Sequence, residues 1–204
     1  MITSEFLITS LIVVLIPGTG VVFTVSTGLA QGSRASIYAA VGCTAGIVPH
    51  LLATILGLAA IMHTSALAFQ TLKYAGVLYL LYLAYATWKD SSAFTVENVP
   101  EKRKALAIIT KAVLLNLLNP KLTIFFLAFL PQFVDTSSSA PLSQLLMLSG
   151  VFMGMTFAIF VVYGFLAHVF RRSVIESPRV QNWLRRGFAA AFAGLGVQLA
   201  LGEK

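Results

Sequence analysis

The chain has 204 residues, of which 58% are hydrophobic and only 10% are charged. A soluble domain carries roughly 25% charged residues, so the composition excludes an ordinary soluble protein and indicates an integral membrane protein. The net charge of +7 would suit nucleic acid, but the basic residues lie in short segments between apolar runs and have no aromatic interleaving. We therefore expect a lipid bilayer as the surroundings and no nucleic acid as a partner.

Six apolar stretches predict an all-α integral membrane protein with six transmembrane helices. About 20 helical residues cross a hydrocarbon core of roughly 30 Å. The predicted spans are Phe6–Ser26, Tyr38–Met62, Ala66–Trp88, Ala112–Val134, Leu142–Phe170 and Trp183–Leu201. The single cysteine, Cys43, supplies neither an intramolecular disulfide nor a metal site, so no metal and no cofactor are expected.

Charge in the connecting loops predicts the orientation. Lysine and arginine are concentrated in loops 27–37, 89–111 and 171–182, whereas the loops around His63 and between Asp135 and Pro141 have none. Cytoplasmic loops carry the excess of Lys and Arg. Loops 27–37, 89–111 and 171–182 are therefore predicted to be cytoplasmic, with both termini outside.

The longest polar stretch, Lys89–Thr110, separates the spans into two sets of three. Because three is odd, the second set must be inverted relative to the first. We therefore predict a single membrane domain, 1–204, built from two inverted three-helix repeats. The first repeat is 1–90, the cytoplasmic linker is 91–110, and the second repeat is 111–204.

The first and fourth predicted spans are both interrupted in their middle third, by Pro17-Gly18-Thr19-Gly20 and by Asn119-Pro120-Lys121. Proline removes a backbone donor and glycine loosens the helix. Paired interruptions at corresponding places in two halves point to a transporter substrate site, although either break alone is also explained as a simple kink. The predicted substrate-binding residues are Pro17, Gly18, Thr19, Gly20, Asn119, Pro120 and Lys121.

Lys121 lies ten positions after Lys111, which is about 15 Å deeper along a helix. A lysine at the bilayer centre costs roughly 2.5–3.5 kcal/mol on the insertion scale. Snorkelling to the nearer surface is the structural explanation. The functional explanation, which we favour, is that the ammonium group captures the carboxylate of a substrate.

His50, directly after Pro49 in the second span, is a candidate for proton coupling, because histidine changes charge in the physiological range. A neutral imidazole that is hydrogen-bonded inside the bundle is the alternative. Since Glu5 and Asp135 lie at the outer edge, no central carboxylate is available as a carrier. The coupling or gating candidates are His50, Gln132 and Asp135.

Two small-residue motifs, Gly42-x-x-x-Gly46 and Gly150-x-x-x-Gly154, fit close helix packing. Packing within the bundle is the favoured interpretation. A homodimer contact or a moving interface is the alternative.

Longer motifs carry a family resemblance. They are Pro17-Gly18, "QGSRASIYAAVGCTAG" from Gln31, "LKYAGVLYLLYLAY" from Leu72, and "NLLNPKLTIFFLAFLPQF" from Asn116. Over almost its whole length the chain resembles the LysE/RhtB family of amino-acid exporters. The resemblance implies six helices, antiport of small amino acids against protons, and a place in the bacterial inner membrane. Family members commonly follow Pro-Gly with Pro and then Asn or Asp, whereas this chain has Thr19 and Gly20.

The sequence thus predicts a secondary exporter, not an enzyme. Its partners would be a small amino acid and protons, and the substrate would lie between the first and fourth helices. A neutral substrate is favoured, because no central carboxylate matches an extra positive charge. A non-transporting scaffold or accessory protein is one alternative. An intramembrane serine hydrolase using a Ser–His pair is another, but no Gly-x-Ser-Gly element is present.

Overall fold

The computed structural model describes residues 2–64, 66–89, 104–135, 140–170, 173 and 177–201. Within these ranges the chain forms helices and contains no β-strand, which confirms the all-helical prediction. The α-helices are α1 (Ser4–Leu15), α2 (Thr19–Gln31), α3 (Ser33–Ala45), α4 (Val48–Thr64), α5 (Ala66–Lys89), α6 (Ala105–Leu117), α7 (Pro120–Ile124), α8 (Pro141–Phe165), α9 (Ala167–Phe170) and α10 (Pro178–Leu201). A π-helix, Phe125–Phe129, and a 3₁₀ helix, Leu130–Phe133, follow α7.

Two of these helices are long and apolar enough to cross a membrane: Ser33–Gly57, which continues from α3 into α4, and α8. Two further pairs are sharply bent, by 54° between α1 and α2 and by 56° between α6 and Lys121–Phe133. We call Ser4–Gln31 the first broken span and Ala105–Phe133 the second broken span. The described residues thus hold two candidate spans, or four if each bent pair is one span.

The remaining two predicted spans correspond to α5 and α10, which are helices of 24 residues each. They are not among the four candidate spans, and they pack extensively against each other. The other principal packing partners are α3 with α6, α2 with α3, α3 with α8, and α2 with α8.

The three predicted cytoplasmic loops all overlap helices, and in loop 171–182 the reason is that α10 begins at Pro178. Residues 27–37 are almost entirely helical, because α2 runs to Gln31 and α3 starts at Ser33. Gly32 alone separates these helices and has a φ of 86°, which favours glycine. The predicted linker 91–110 overlaps α6, which begins at Ala105, and residues 90–103 lie outside the described ranges. Four of the basic residues used to predict the orientation, at positions 102, 103, 171 and 172, also lie outside the described ranges.

Apolar and polar residues are distributed as in a protein dissolved in lipid. Large apolar side chains are exposed on every long helix, with Leu56, Leu78 and Trp183 among the most exposed. Small polar side chains lie inside, among them Thr24, Ser36 and Asn116. Inside a membrane bundle, small and polar side chains let helices approach closely and bond to one another. The buried polar residues therefore mark the interior where the helices can bond to one another.

A close helix contact joins α3 to α6 at the first glycine motif. A Cβ atom at Gly42 would lie 2.5 Å from the Ile109 carbonyl oxygen, and one at Gly46 would lie 2.8 Å from the Asn116 Cβ. Only glycine permits this separation. At Gly150 and Gly154 a Cβ would meet no described atom within 4 Å. The close approach of α3 brings Asn116 against the end of that helix.

Candidate functional site

The first break lies between α1 and α2, and proline chemistry explains its unpaired carbonyls. In a continuous helix the Val13 carbonyl would accept from the N–H of residue 17, but Pro17 has none. The chain turns extended at Ile16, with ψ 119°, and at Gly18, with φ −122° and ψ −173°. The carbonyls at the end of α1 therefore lose their helical partners.

Lys121 supplies the missing donor from the other half of the chain. Its Nζ donates to the Val13 carbonyl at 2.9 Å and to the Ile16 carbonyl at 2.8 Å. A cation at the carbonyl end of a helix also interacts favourably with the helix dipole. The hydroxyl of Tyr163, on α8, donates to the Leu15 carbonyl at 3.0 Å. Three carbonyls at the first break are thus capped by side chains distant in sequence.

The second break, between α6 and α7, is capped in the reverse direction. Asn119 N donates to the Asn116 carbonyl rather than to that of Leu115, which a continuous helix would use. Thr19 Oγ1, from the first broken span, donates to the free Leu115 carbonyl at 3.3 Å. Asn119 itself begins α7, because its side-chain oxygen accepts from Lys121 N at 3.1 Å, as an N-cap residue does. Each break thus receives a donor from the residue just beyond the other break.

Asn116 joins the second break to the α3–α4 junction. Its Nδ2 donates to the Cys43 carbonyl at 2.7 Å, which is free because Ile47 N donates to Thr44 instead. Its Oδ1 lies where a Cβ of Gly20 would come within 2.5 Å. Gly20 must therefore stay without a side chain for Asn116 to reach α3.

His50 lies beside this junction and is buried. Its Nε2 lies 3.0 Å from the Asn116 carbonyl oxygen. Because a carbonyl can only accept, this ring nitrogen carries a proton. Its Nδ1 lies 3.4 Å from Thr123 Oγ1, which is also 3.4 Å from the Asn119 carbonyl. The Thr123 hydroxyl thus lies between two acceptors, Nδ1 of a neutral imidazole and the Asn119 carbonyl, and can donate to one of them at a time.

The predicted site residues fall into two groups. The Pro17–Gly20 segment and the Asn119–Lys121 segment are in contact, since a Cβ of Gly18 would lie 3.5 Å from both Asn119 Nδ2 and Lys121 Nζ. Gln132 and Asp135 lie further along the same segment as Lys121, past the π-helix. Gln132 Nε2 donates to the Ala128 carbonyl at 3.1 Å. Asp135 is exposed, and its backbone N donates to Gln144 at 2.9 Å.

Four residues that build this site were not among the predicted site residues. These are Asn116, Thr123 and Tyr163, described above, and Thr54 on α4, whose hydroxyl lies 2.8 Å from the His50 carbonyl oxygen and 2.9 Å from that of Phe126. Asn116 could have been predicted from the sequence, because it is a polar residue four positions before Pro120 in an apolar helix. The other three are single hydroxyl groups with no sequence pattern. No group of three or more His, Cys, Asp or Glu among the described residues is arranged to hold a metal ion.

Comparison with known proteins identifies the family. The sequence matches the family described as "LysE type translocator" over residues 11–203. It is 33% identical to an "Uncharacterized membrane protein" of Vibrio cholerae serotype O1, over 96% of this chain and 94% of that one. It is 28% identical to the "Homoserine/homoserine lactone efflux protein" of Salmonella typhimurium, with the same coverage of both chains.

A "Leucine efflux protein" of Klebsiella pneumoniae is also 28% identical, over 67% of this chain and 65% of that one. No solved structure matches the chain significantly. The match over nearly the full length shows that the chain belongs to the LysE-type translocator family.

Proposed function

We propose that the chain is a secondary exporter of small, neutral α-amino acids or their close derivatives. It would work in the bacterial inner membrane as an antiporter against protons. The observation that carries this proposal is the mutual capping of the two breaks by Lys121 and Thr19. In transporters with discontinuous helices, the substrate lies near the bilayer midplane between such breaks.

The backbone groups that the breaks release from helical bonding suit a zwitterion. Carbonyls at the end of α1 attract an ammonium group, whereas N–H groups at the start of α2 attract a carboxylate. Lys121 is the cation available for the same carboxylate. We assign the amine and carboxylate contacts to backbone at Pro17–Gly20 and around Asn119, with Lys121 as the charged partner.

Charge favours a neutral side chain on the substrate. Glu5 and Asp135 are the acidic residues of the described ranges, and both are exposed. A cationic side chain would therefore meet no buried carboxylate in this part of the protein. The names of two relatives mention homoserine and leucine, which are amino acids with uncharged side chains.

The packing supports six spans arranged as two inverted three-helix repeats. Exchange of the two halves would convert the α3–α6 pair into the α8–α1 pair and would leave α5–α10 and α3–α8 unchanged. All four of these pairs are in contact. The crossed capping by Thr19 and Lys121 obeys the same exchange. We propose that α5 and α10 are the third and sixth spans, and that rocking of one repeat against the other alternates access to the site.

For coupling, we assign the proton to His50. When His50 is neutral, the Thr123 hydroxyl can donate to Nδ1. When Nδ1 is protonated it becomes a donor, and the hydroxyl turns to the Asn119 carbonyl 3.4 Å away. Protonation would thus alter the hydrogen bonding of the residue that starts the second break. Gln132 and Asp135 remain secondary candidates at the outer end of the span.

Transport in proteoliposomes tests the proposal. Vesicles loaded with homoserine or leucine should release it faster with the protein than without it. We expect Lys121→Ala to reduce the rate at least about tenfold, which corresponds to about 1.4 kcal/mol of lost stabilisation. The matched control is Lys104→Ala, because Lys104 is exposed at the start of α6. Equal rates for wild type and Lys121→Ala would remove Lys121 from the mechanism.

A further inference from the structure

We propose that the Val13 and Ile16 carbonyls form the subsite for the substrate's ammonium group, and that Lys121 occupies this subsite as an internal surrogate until substrate displaces it. The displaced lysine would then pair with the substrate's carboxylate. This inference rests on the proposed function and refines it, because it moves the ammonium contact from the Pro17–Gly20 backbone to the two carbonyls that precede it and pairs the carboxylate with Lys121.

The occupant of the two carbonyls has the chemistry of the ligand. Lysine ends in a primary ammonium group with three N–H donors, as an α-amino acid does at neutral pH. Two of those donors are used, at 2.9 Å to Val13 and 2.8 Å to Ile16. Since the carbonyls are freed by Pro17 and by the extended Gly18, they hold any primary ammonium that reaches them. An amino acid therefore competes with Lys121 for the same bonds.

Displacement leaves Lys121 close to where the carboxylate would lie. The point that a Cβ of Gly18 would occupy lies 3.5 Å from Lys121 Nζ and 3.5 Å from Asn119 Nδ2. The amide Nδ2 has only a long bond, 3.5 Å, to Asn116 Oδ1, so it can turn to a new acceptor. Two donors thus flank one small space beside the ammonium subsite. The flexible four-carbon stem of lysine allows its ammonium to move between the carbonyls and this space.

The exchange predicts which ligands bind. A zwitterion replaces the lost bonds of Lys121 at both ends, since its ammonium fills the carbonyls and its carboxylate receives the lysine. A simple amine can evict Lys121 but leaves its charge unpaired, which is costly away from water. A simple carboxylate has no donor for the two carbonyls and cannot displace Lys121 from them. We therefore expect wild type to bind zwitterions and to reject methylammonium and acetate.

Removal of the lysine side chain should allow a simple amine to bind. In Lys121→Ala the two carbonyls have no donor, and methylammonium can fill them. We expect Lys121→Ala in detergent to unfold at a lower temperature than wild type, and methylammonium to raise its midpoint by a few degrees through binding to the folded state. Methylammonium should leave the wild-type midpoint unchanged. Tetramethylammonium, which has the charge but no N–H donor, is the matched control and should shift neither protein.

Two outcomes would overturn the inference. One is a methylammonium shift that is absent from Lys121→Ala or equal in wild type. The other is an equal shift with tetramethylammonium, which would indicate a general effect of salt. If homoserine and leucine are transported but methylammonium does not stabilise Lys121→Ala, only the surrogate role of Lys121 is wrong. If this stabilisation occurs without transport of any amino acid, the ammonium subsite stands and the exporter function fails.

Gly18→Ala provides a second test that keeps Lys121. The new methyl group would make ordinary contacts, none shorter than 3.5 Å, so we expect the wild-type unfolding temperature. Because it fills the space assigned to the carboxylate, homoserine should bind at least about tenfold more weakly, measured by the ligand-dependent shift in unfolding temperature. Unchanged affinity in this variant would contradict the placement of the carboxylate.

Discussion

At the scale of single residues, the candidate site is built by backbone carbonyls and the side chains that cap them. Buried carbonyls without a partner are costly, so native structures pair nearly all of them. Here Lys121, Thr19, Asn116 and Tyr163 cap carbonyls that helix breaks have released. A cap formed by a side chain can be exchanged for a ligand, whereas a backbone hydrogen bond within a helix cannot.

His50 is the residue whose role is most directly testable at this scale. In His50→Gln the new amide can still donate to the Asn116 carbonyl, but it cannot take up a proton at neutral pH. We expect exchange of homoserine across proteoliposomes to continue, while acceleration of efflux by an inward proton gradient is lost. Wild type with a protonophore is the control for the loss of the gradient. Gradient-driven efflux that survives in His50→Gln would exclude His50 as the coupling residue.

At the scale of secondary-structure elements, the two broken spans depend on Pro17 and Pro120. Each proline removes the donor that would let the helix run on. The energy lost in regular helix is offset by contacts between the spans, since each break receives a side chain from the other. Breaks that are capped in this mutual way can shift together when one cap is released.

Replacement of Pro17 tests this dependence. Pro17→Ala restores an N–H that can donate to the Val13 carbonyl, in competition with Lys121. Pro17 lies between α1 and α2, and alanine would let the helix continue through this position, so the unfolding temperature should rise or stay the same while homoserine efflux falls. Pro141→Ala is the matched control, because Pro141 is the first residue of α8, where no donor is needed. Wild-type efflux by Pro17→Ala would show that the break is dispensable.

The two glycine motifs give a further comparison between elements. Gly42→Ala would force a methyl group to 2.5 Å from the Ile109 carbonyl oxygen and 2.7 Å from Ala112 Cβ. Overpacking of this kind costs about 1–3 kcal/mol, which a lower unfolding temperature in detergent would reveal. Gly150→Ala, with no described atom within 4 Å, should not be destabilised. If both variants lose stability alike, the α3–α6 contact is not what requires glycine.

At the scale of the whole molecule, the proposed orientation connects the loops to the direction of transport. Gly32 and Ser33 lie at the tight α2–α3 turn, beside Arg34, and Ala140 precedes α8. From the positive-inside rule we expect the α2–α3 turn in the cytoplasm and Ala140 outside. The native Cys43 is buried, so it should contribute little background to thiol labelling.

Thiol labelling from one side of the membrane tests the orientation. We expect a membrane-impermeant maleimide to label Ala140→Cys in intact cells and Ser33→Cys only in inverted vesicles. Both positions are exposed, and the unmodified chain is the control. Labelling of both positions from the same side would contradict an odd number of crossings between them.

The sequence by itself determined the membrane class, the helical fold, the two interruptions and the family resemblance. These follow from local properties: apolar runs long enough for a bilayer, prolines without a donor, and motifs such as Asn119-Pro120-Lys121. Hydropathy also predicted helix positions well, but not the short α2–α3 turn, because charge at Arg34 suggested a loop where Gly32 alone suffices.

Only the tertiary structure decided which groups meet. No sequence pattern could show that Lys121 donates to carbonyls of α1, that Thr19 returns the contact, or that Asn116 reaches Cys43. The physical reason is that a helix break in the sequence predicts which backbone groups lose their hydrogen bonds, but not which side chains replace the lost partners. Those partners are fixed by the packing of distant helices, which the close approach at Gly42 and Gly46 makes possible.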